Sequence, residues 1–125
     1  MHKNYIFLSI LLCLFLNFSL WAQNEKIEDF VVSVYDRSIK VVSPDSIKTK
    51  FSVVVENKSL GKIVGKIQGS QGKVMAIMSI EPSAFSKIEV ESKKGERYFF
   101  IPMAPAFQEA ELIVGHQTYE IPPRN

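Results

Sequence analysis

Few residues of this 125-residue chain have side chains suited to catalysis or tight metal binding. The sequence has one cysteine, Cys13, and two histidines, His2 and His116. Zinc sites need several Cys or His ligands, and a Ser-His-Asp triad needs a histidine. Because Cys13 and His2 lie in the apolar N-terminal segment, only His116 is left for the rest of the chain. The sequence therefore predicts a protein that is not an enzyme.

The carboxylates Glu109 and Glu111 are the best remaining candidates for acid or base chemistry. Two residues apart in an extended segment, they share a face and lie about 7 Å apart. A lone acidic pair is common on protein surfaces, and the chain has no His-Glu-x-x-His or G-x-S-x-G motif beside it. We expect these carboxylates to be surface residues.

Methionines give the chain one alternative chemistry, the binding of copper(I) by thioethers. Met75, Met103 and His116 are the ligands that a small exported copper carrier would use. Met75 and Met78 are three residues apart in a predicted strand, so they point to opposite faces unless a bulge intervenes. Met78 also belongs to an alternating apolar row, which indicates a core position. We predict no cofactor and keep the copper carrier as an alternative.

Lys58, Lys62 and Lys66 form a possible basic patch across a turn and a strand. Such a stripe would suit an anionic polymer of the cell envelope, with an affinity that falls steeply with salt. Lysines also protect sheets against edge pairing. The chain's net charge is only +2, and no aromatic residues alternate with these lysines. We expect no nucleic-acid binding and keep the polymer as a second alternative.

The segment 98–107 is the richest in aromatic residues after the N-terminal region. Both faces of its strand are apolar, which is typical of a central strand covered on both sides or of a contact surface. Two prolines then end the strand and favour a stiff, extended loop. We predict protein contacts through Tyr98, Phe100, Met103 and Phe107.

The first 22 residues have the composition of a signal peptide. A short polar start is followed by the apolar run Tyr5 to Leu16, and Ala22 precedes the polar Gln23. We expect cleavage after Ala22 and a periplasmic or secreted domain. The alternative is an uncleaved anchor, because residues 4–24 are uncharged and about 20 residues suffice for a span. Contact with a membrane is expected only through this leader.

Residues 23–125 are predicted to form a single all-β domain without disulfides. Val and Ile predominate, whereas only Leu60 and Leu112 are leucines, and β-branched residues favour strands. Apolar and polar residues alternate from Ile47 to Glu56. Turn signals about every 10 residues predict a sandwich or barrel. The predicted strands are 29–36, 38–43, 47–57, 61–69, 72–80, 85–92, 96–102, 110–114 and 117–121.

The alternating segment Phe51 to Ser59, which ends in Asn57-Lys58-Ser59, resembles the second-strand region of exported immunoglobulin-like and fibronectin-like modules. The resemblance implies an immunoglobulin-like antiparallel sandwich of two sheets and about seven to nine short strands. It implies no activity. Asn57-Lys58-Ser59 also matches an N-glycosylation acceptor.

These patterns favour an exported, non-catalytic binding or structural module that contacts a protein partner in the cell envelope or outside the cell. The contact is expected through the Pro102 to Phe107 loop or an unpaired sheet edge. The sequence leaves the partner, the oligomeric state and the strand order open.

Overall fold

The computed structural model describes residues 28–105, 108–116 and 118–121, and within them the chain is all β. The predicted signal peptide and Phe107 lie outside these residues. Nine strands were predicted, and nine are found among the described residues, close to the predicted positions. They are β1 Glu28–Val34, β2 Ile39–Val42, β3 Lys50–Asn57, β4 Ile63–Gly69, β5 Val74–Ile80, β6 Phe85–Glu91, β7 Tyr98–Ala104, β8 Ala110–Glu111 and β9 Thr118–Ile121.

The strands form two packed sheets, which confirms the predicted β-sandwich. One sheet has the order β6-β3-β1-β2-β9, and the other has the order β5-β4-β7-β8. The chain passes between the sheets after β3, β5, β6 and β8. The chain therefore connects the two sheets at four places, which ties them together.

One strand pair departs from the predicted antiparallel arrangement. β1 and β3 run parallel, with Glu28 opposite Phe51 and Val34 opposite Asn57. The reason is the short hairpin between β1 and β2, which returns the chain to the end where β1 began. Residues 43–49 then lead to the free side of β1, so β3 must run in the same direction as β1.

The core consists of the inward-facing residues of both sheets. Phe51 lies at its centre, where its ring makes edge contacts with Phe30, at 5.5 Å between centroids, and with Tyr98, at 5.0 Å. Phe100 is also fully buried. Burial of one such side chain stabilises the fold by about 1.5–3 kcal/mol. The domain thus has an aromatic core contributed by both sheets.

Tyr98 also fixes the connection between β6 and β7. Its hydroxyl accepts a hydrogen bond from the Lys93 backbone N–H at 3.0 Å and donates one to the Glu91 carbonyl at 3.4 Å. A tyrosine at the start of this strand whose hydroxyl returns to the preceding loop is the tyrosine corner of immunoglobulin-like sandwiches. This contact agrees with the architecture that the Phe51 to Ser59 resemblance implies.

Gly65 allows β4 to pass directly beneath the ring of Phe100. A Cβ atom at position 65 would lie 2.7 Å from the ring carbon Cε2 and 2.9 Å from Cζ. Both residues are buried, so the ring has little room to move away. This glycine is therefore required by packing, as is typical where a side chain closely approaches a strand backbone.

Candidate functional site at one end of the sandwich

Four loops meet at one end of the sandwich, which we call the loop end. They are the connections after β1, β3, β5 and β7, at residues 35–38, 58–62, 81–84 and 105–109, of which 106 and 107 are not described. The strand register places them together, because Val34 lies opposite Asn57, Ile63 opposite Ile80, and Val64 opposite Ala104. The described residues Pro102 to Pro105 and two lysines of the predicted basic patch, Lys58 and Lys62, thus lie at or near the same end.

Asn57 holds the loop after β3 in place. Its Nδ2 donates hydrogen bonds of 2.8 Å to the carbonyls of Gly61 and Ile80. Its Oδ1 accepts from the backbone N–H and the hydroxyl of Ser59, at 2.9 and 2.6 Å. The side chain is buried, so all of its hydrogen-bonding groups are used inside the protein. The folded domain therefore does not offer the Asn57 amide as a glycosylation acceptor.

Leu60 lies at the tip of this fixed loop and is 88% exposed. Its backbone N–H donates to Asp36 Oδ1 at 2.9 Å, and the N–H of Lys58 donates to the Val34 carbonyl at 2.8 Å. The loop is thus joined both to β1 and to the β1–β2 turn. Burial of a leucine is worth about 1.5–3 kcal/mol, and the folded monomer does not gain this stabilisation at Leu60.

Phe85, 69% exposed, lies beside a cleft of about 530 Å³ that separates residues 56–60 from residues 83–85. The second wall is also fixed by backbone hydrogen bonds. The Asn57 N–H donates to the Ala84 carbonyl, and the Ser83 N–H donates to the Asn57 carbonyl, both at 2.9 Å. Leu60 and Phe85 are thus two exposed apolar side chains on walls that share Asn57 as an anchor.

The lysines of the predicted basic patch do not form one continuous stripe. Lys58 Nζ lies 3.6 Å from a carboxylate oxygen of Glu56, and Lys62 Nζ lies 3.8 Å from one of Glu81. Lys66 is on the outer face of β4, where its strand neighbours are Ile77 and Ile101. Exposed ion pairs contribute about 0–1 kcal/mol each, but they do balance the local charge. The loop end therefore combines apolar groups with paired charges.

The predicted contact residues are placed in different environments. Tyr98 and Phe100 are buried and point into the core, so their side chains are not part of the protein surface. Met103 is 47% exposed and lies near the loop end. Phe107 lies outside the described residues. Of the four, only Met103 is described at the surface, next to the cis Ala104–Pro105 peptide bond.

Phe99 and Ile101 form the outward-facing row of β7, and an ion pair covers part of this row at Phe99. Arg97 donates two hydrogen bonds to the carboxylate of Glu111, at 2.6 and 2.8 Å, and its guanidinium lies 5.3 Å from the centre of the Phe99 ring. These hydrogen bonds lower the pKa of Glu111 and raise that of Arg97. The predicted acidic residue Glu111 is thus one half of a surface ion pair.

The pKa of Tyr119 is also shifted. Burial, together with the negative charge of Glu111, raises the pKa of Tyr119 to about 12. Its hydroxyl donates a hydrogen bond to the Glu111 carbonyl, so Tyr119 links β9 to β8. This contact has an evident structural role at the sheet edge.

The possible copper ligands do not come together. Met75 lies near Gly69, at the opposite end of β4 from Met103. Five residues of strand separate the two positions, which is roughly 17 Å. His116 precedes β9 in the other sheet and packs against Tyr119, with 5.3 Å between ring centroids. Among the described residues, no group of three His, Cys, Asp or Glu side chains is arranged to hold a metal ion.

The sequence patterns did not identify Leu60 and Phe85. Both follow turn signals, Leu60 after Asn57-Lys58-Ser59 and Phe85 after Glu81-Pro82-Ser83. A leucine within an otherwise polar turn was the available signal, since turns favour Gly, Pro, Asn, Asp and Ser. Whether Leu60 is exposed or buried depends on the hydrogen bonds that Asn57 makes to its loop and to β5. No local sequence pattern predicts these bonds.

Comparison with models of known protein families and with curated proteins gave no match. In the part of the chain that the structure describes, no helix has the length and apolar character needed to cross a membrane.

Proposed function

We propose that this protein is an exported, non-catalytic binding module that contacts another protein through the loop end. The observation that carries the proposal is the exposure of Leu60, at 88%, on a loop fixed by the hydrogen bonds of Asn57. The leader supports export. Leu60, Phe85 and Met103 supply the apolar part of the surface, and such side chains, when clustered, are typical of interaction sites.

The arrangement favours a partner that inserts an apolar side chain into the cleft between Leu60 and Phe85. The energetic centre of a protein interface is apolar and desolvated, whereas its rim is polar. Here the exposed apolar groups are bordered by the ion pairs Lys58–Glu56 and Lys62–Glu81. Because these lysines already face carboxylates, the charge pattern suits a protein partner better than an anionic polymer.

The fixed loop also favours binding in energetic terms. Ordering of a mobile side chain or loop on binding costs about 0.5–1.5 kcal/mol for each side chain immobilised. The backbone of the Leu60 loop is already held by contacts from Asn57 and Asp36. A partner therefore meets a surface whose backbone shape is set before contact.

Site-specific photo-cross-linking tests this proposal in the native cell envelope. A photoreactive amino acid at Lys58, on the rim of the cleft, is expected to capture one protein. The same group at Lys94, in the loop between β6 and β7, is the matched control and is expected to capture much less of it.

The captured protein is then purified and titrated against the domain. Leu60→Ser and Phe85→Ser are each expected to raise the Kd at least tenfold, which corresponds to about 1.4 kcal/mol. Lys94→Ser is expected to leave the Kd unchanged. Equal capture at both positions, or an unchanged Kd for both loop-end variants, would show that the loop end is not the contact site.

A further inference from the structure

The two outer faces of the sandwich differ in polarity. Each sheet buries one face against the other sheet, and the face turned to water is ordinarily polar. In the five-stranded sheet, every strand has a charged residue on the outer face. They are Asp29 of β1, Lys40 of β2, Lys50 of β3, Lys87 of β6 and Glu120 of β9. This outer face thus has the polarity expected of a surface in water.

The outer face of the four-stranded sheet is largely apolar. Its central row consists of Ile77 of β5, Lys66 of β4 and Ile101 of β7, which lie directly opposite one another. Val64 and Phe99 lie in adjacent rows of the same face, where they alternate with buried residues. Ile77 is 68% exposed, and the other three apolar residues are half-buried. We call these five residues the outer patch. Contiguous apolar surface of this kind is typical of an interaction site.

Lys66 gives the outer patch a positive charge at its centre. At the edge of the patch, Arg97 and Glu111 form an ion pair beside the ring of Phe99, so their charges balance each other. Lys66 takes part in none of the ion pairs found among the described residues. An occupant of the patch must therefore bury apolar groups and also provide a partner for one ammonium group.

The position of Lys66 argues against a second copy of this chain as the occupant. If two copies packed patch on patch about a two-fold axis, the two Lys66 side chains would meet near that axis. Like charges brought together in an interface are unfavourable, whereas complementary charges determine partner choice. The surface that complements the patch is therefore apolar with a carboxylate at its centre.

The width of the outer patch suits one helix. Neighbouring strands lie about 4.8 Å apart, so β5, β4 and β7 form a strip about 10 Å wide. A helix with its side chains is about 10–12 Å in diameter, and helices commonly cover sheet faces in layered folds. A helix that lies along β4 would contact Ile77 on one side and Ile101 on the other, with Lys66 beneath it.

We propose that the outer patch binds an amphipathic helix of another protein, with an Asp or Glu in the middle of the helix's apolar stripe as the ion-pair partner of Lys66. Such a stripe has apolar residues at positions i, i+3, i+4 and i+7. The contact uses different residues from the loop-end site, so the two proposals are tested separately.

Selection from a peptide library tests the chemistry of the occupant. The library consists of helical peptides of about 14 residues, which are roughly 21 Å long, with one face randomised. Peptides that bind the wild-type domain but not Ile77→Lys are taken as ligands of the outer patch. These peptides are expected to contain an Asp or Glu flanked by apolar residues at helical spacing. The same selection with Lys66→Glu is expected to enrich Lys or Arg in place of the acidic residue.

The most enriched peptide is then synthesised, and its Kd is measured by fluorescence anisotropy. Ile77→Ser and Lys66→Glu are each expected to raise the Kd at least tenfold. Val42→Ser is the matched control, because it removes a 40% exposed apolar side chain from the outer face of the other sheet. Val42→Ser and the loop-end variant Leu60→Ser are expected to leave the Kd unchanged. Circular dichroism confirms that each variant folds.

Three results would overturn the proposal. The first is a selection in which no peptide distinguishes the wild-type domain from Ile77→Lys. The second is the same charge preference in the peptides selected with wild type and with Lys66→Glu. The third is an equal rise in Kd for Val42→Ser and Ile77→Ser.

Discussion

Two loops at opposite ends of the sandwich are fixed in the same way but display different side chains. At the loop end, buried Asn57 at the end of β3 binds backbone groups of the next turn and of β5. At the other end, Tyr98 at the start of β7 binds backbone groups of the preceding loop and of the last residue of β6. The first loop displays Leu60, whereas the second displays Lys93 and Lys94, which are also exposed.

The comparison separates the requirements of the fold from those of binding. In both loops a single buried polar side chain satisfies backbone groups that would otherwise lack partners, and this determines the loop shape. The loop between β6 and β7 has a fixed shape although the residues at its tip, Lys93 and Lys94, are charged. A leucine is therefore not needed to form such a loop, so the fold alone leaves the side chain at position 60 free to serve the proposed contact.

The largest effect is expected when the anchor of the loop end is removed. Asn57→Ala deletes two buried donors and leaves the carbonyls of Gly61 and Ile80 without them. We expect the free energy of unfolding to fall by about 2–4 kcal/mol, measured by urea denaturation. Ser59→Ala, which removes only the hydroxyl that donates to Asn57, is expected to cost about 1 kcal/mol. Equal losses in both variants would mean that Asn57 does not anchor the loop.

A smaller effect is expected at the opposite end. Tyr98→Phe keeps the ring against Phe51 but removes the partner of the Lys93 N–H. The expected loss is about 1–2 kcal/mol of unfolding free energy, again measured by urea denaturation. Lys93→Ala keeps that backbone N–H and serves as control, with a change of less than about 0.5 kcal/mol. If Tyr98→Phe is as stable as wild type, the tyrosine corner contributes packing only.

The smallest effect on stability is expected for the displayed side chains. Leu60→Ser and Lys94→Ser are each expected to change the unfolding free energy by less than about 0.5 kcal/mol, because both side chains are exposed. Thermal unfolding of both variants provides the measurement. A loss above about 1 kcal/mol for Leu60→Ser alone would assign the leucine a structural role and remove the contrast between the two loops.

The strands were predictable because each carries its own signal. Alternation from Ile47 to Glu56 and the turn residues between strands depend only on local sequence. Period two predicts that Met75 and Met78 point to opposite faces of β5 unless a bulge lies between them. The structure has a bulge at Met75, and both methionines pack in or against the core. Local periodicity thus predicted where the strands lie.

The strand order and the site depend on distant contacts, which local patterns do not contain. The parallel pairing of β1 with β3 follows from the path of residues 43–49 around β1. For β7, both Tyr98–Phe100 and Phe99–Ile101 are apolar rows, so alternation could not decide which faces the core. The exposure of Leu60 likewise depends on contacts of its loop with Asn57, Asp36 and Val34, which are distant in sequence or absent from any local pattern.

The close passage of β4 beneath Phe100 links two positions that are 35 residues apart in the sequence. Any side chain at position 65 must occupy space that the aromatic ring now fills. During divergence the two positions are thus expected to change together, with a larger residue at 65 accompanied by a smaller one at 100. Homologues that keep this close contact are expected to have a glycine in the strand after the Asn-x-Ser turn and an aromatic residue two positions beyond the corner tyrosine.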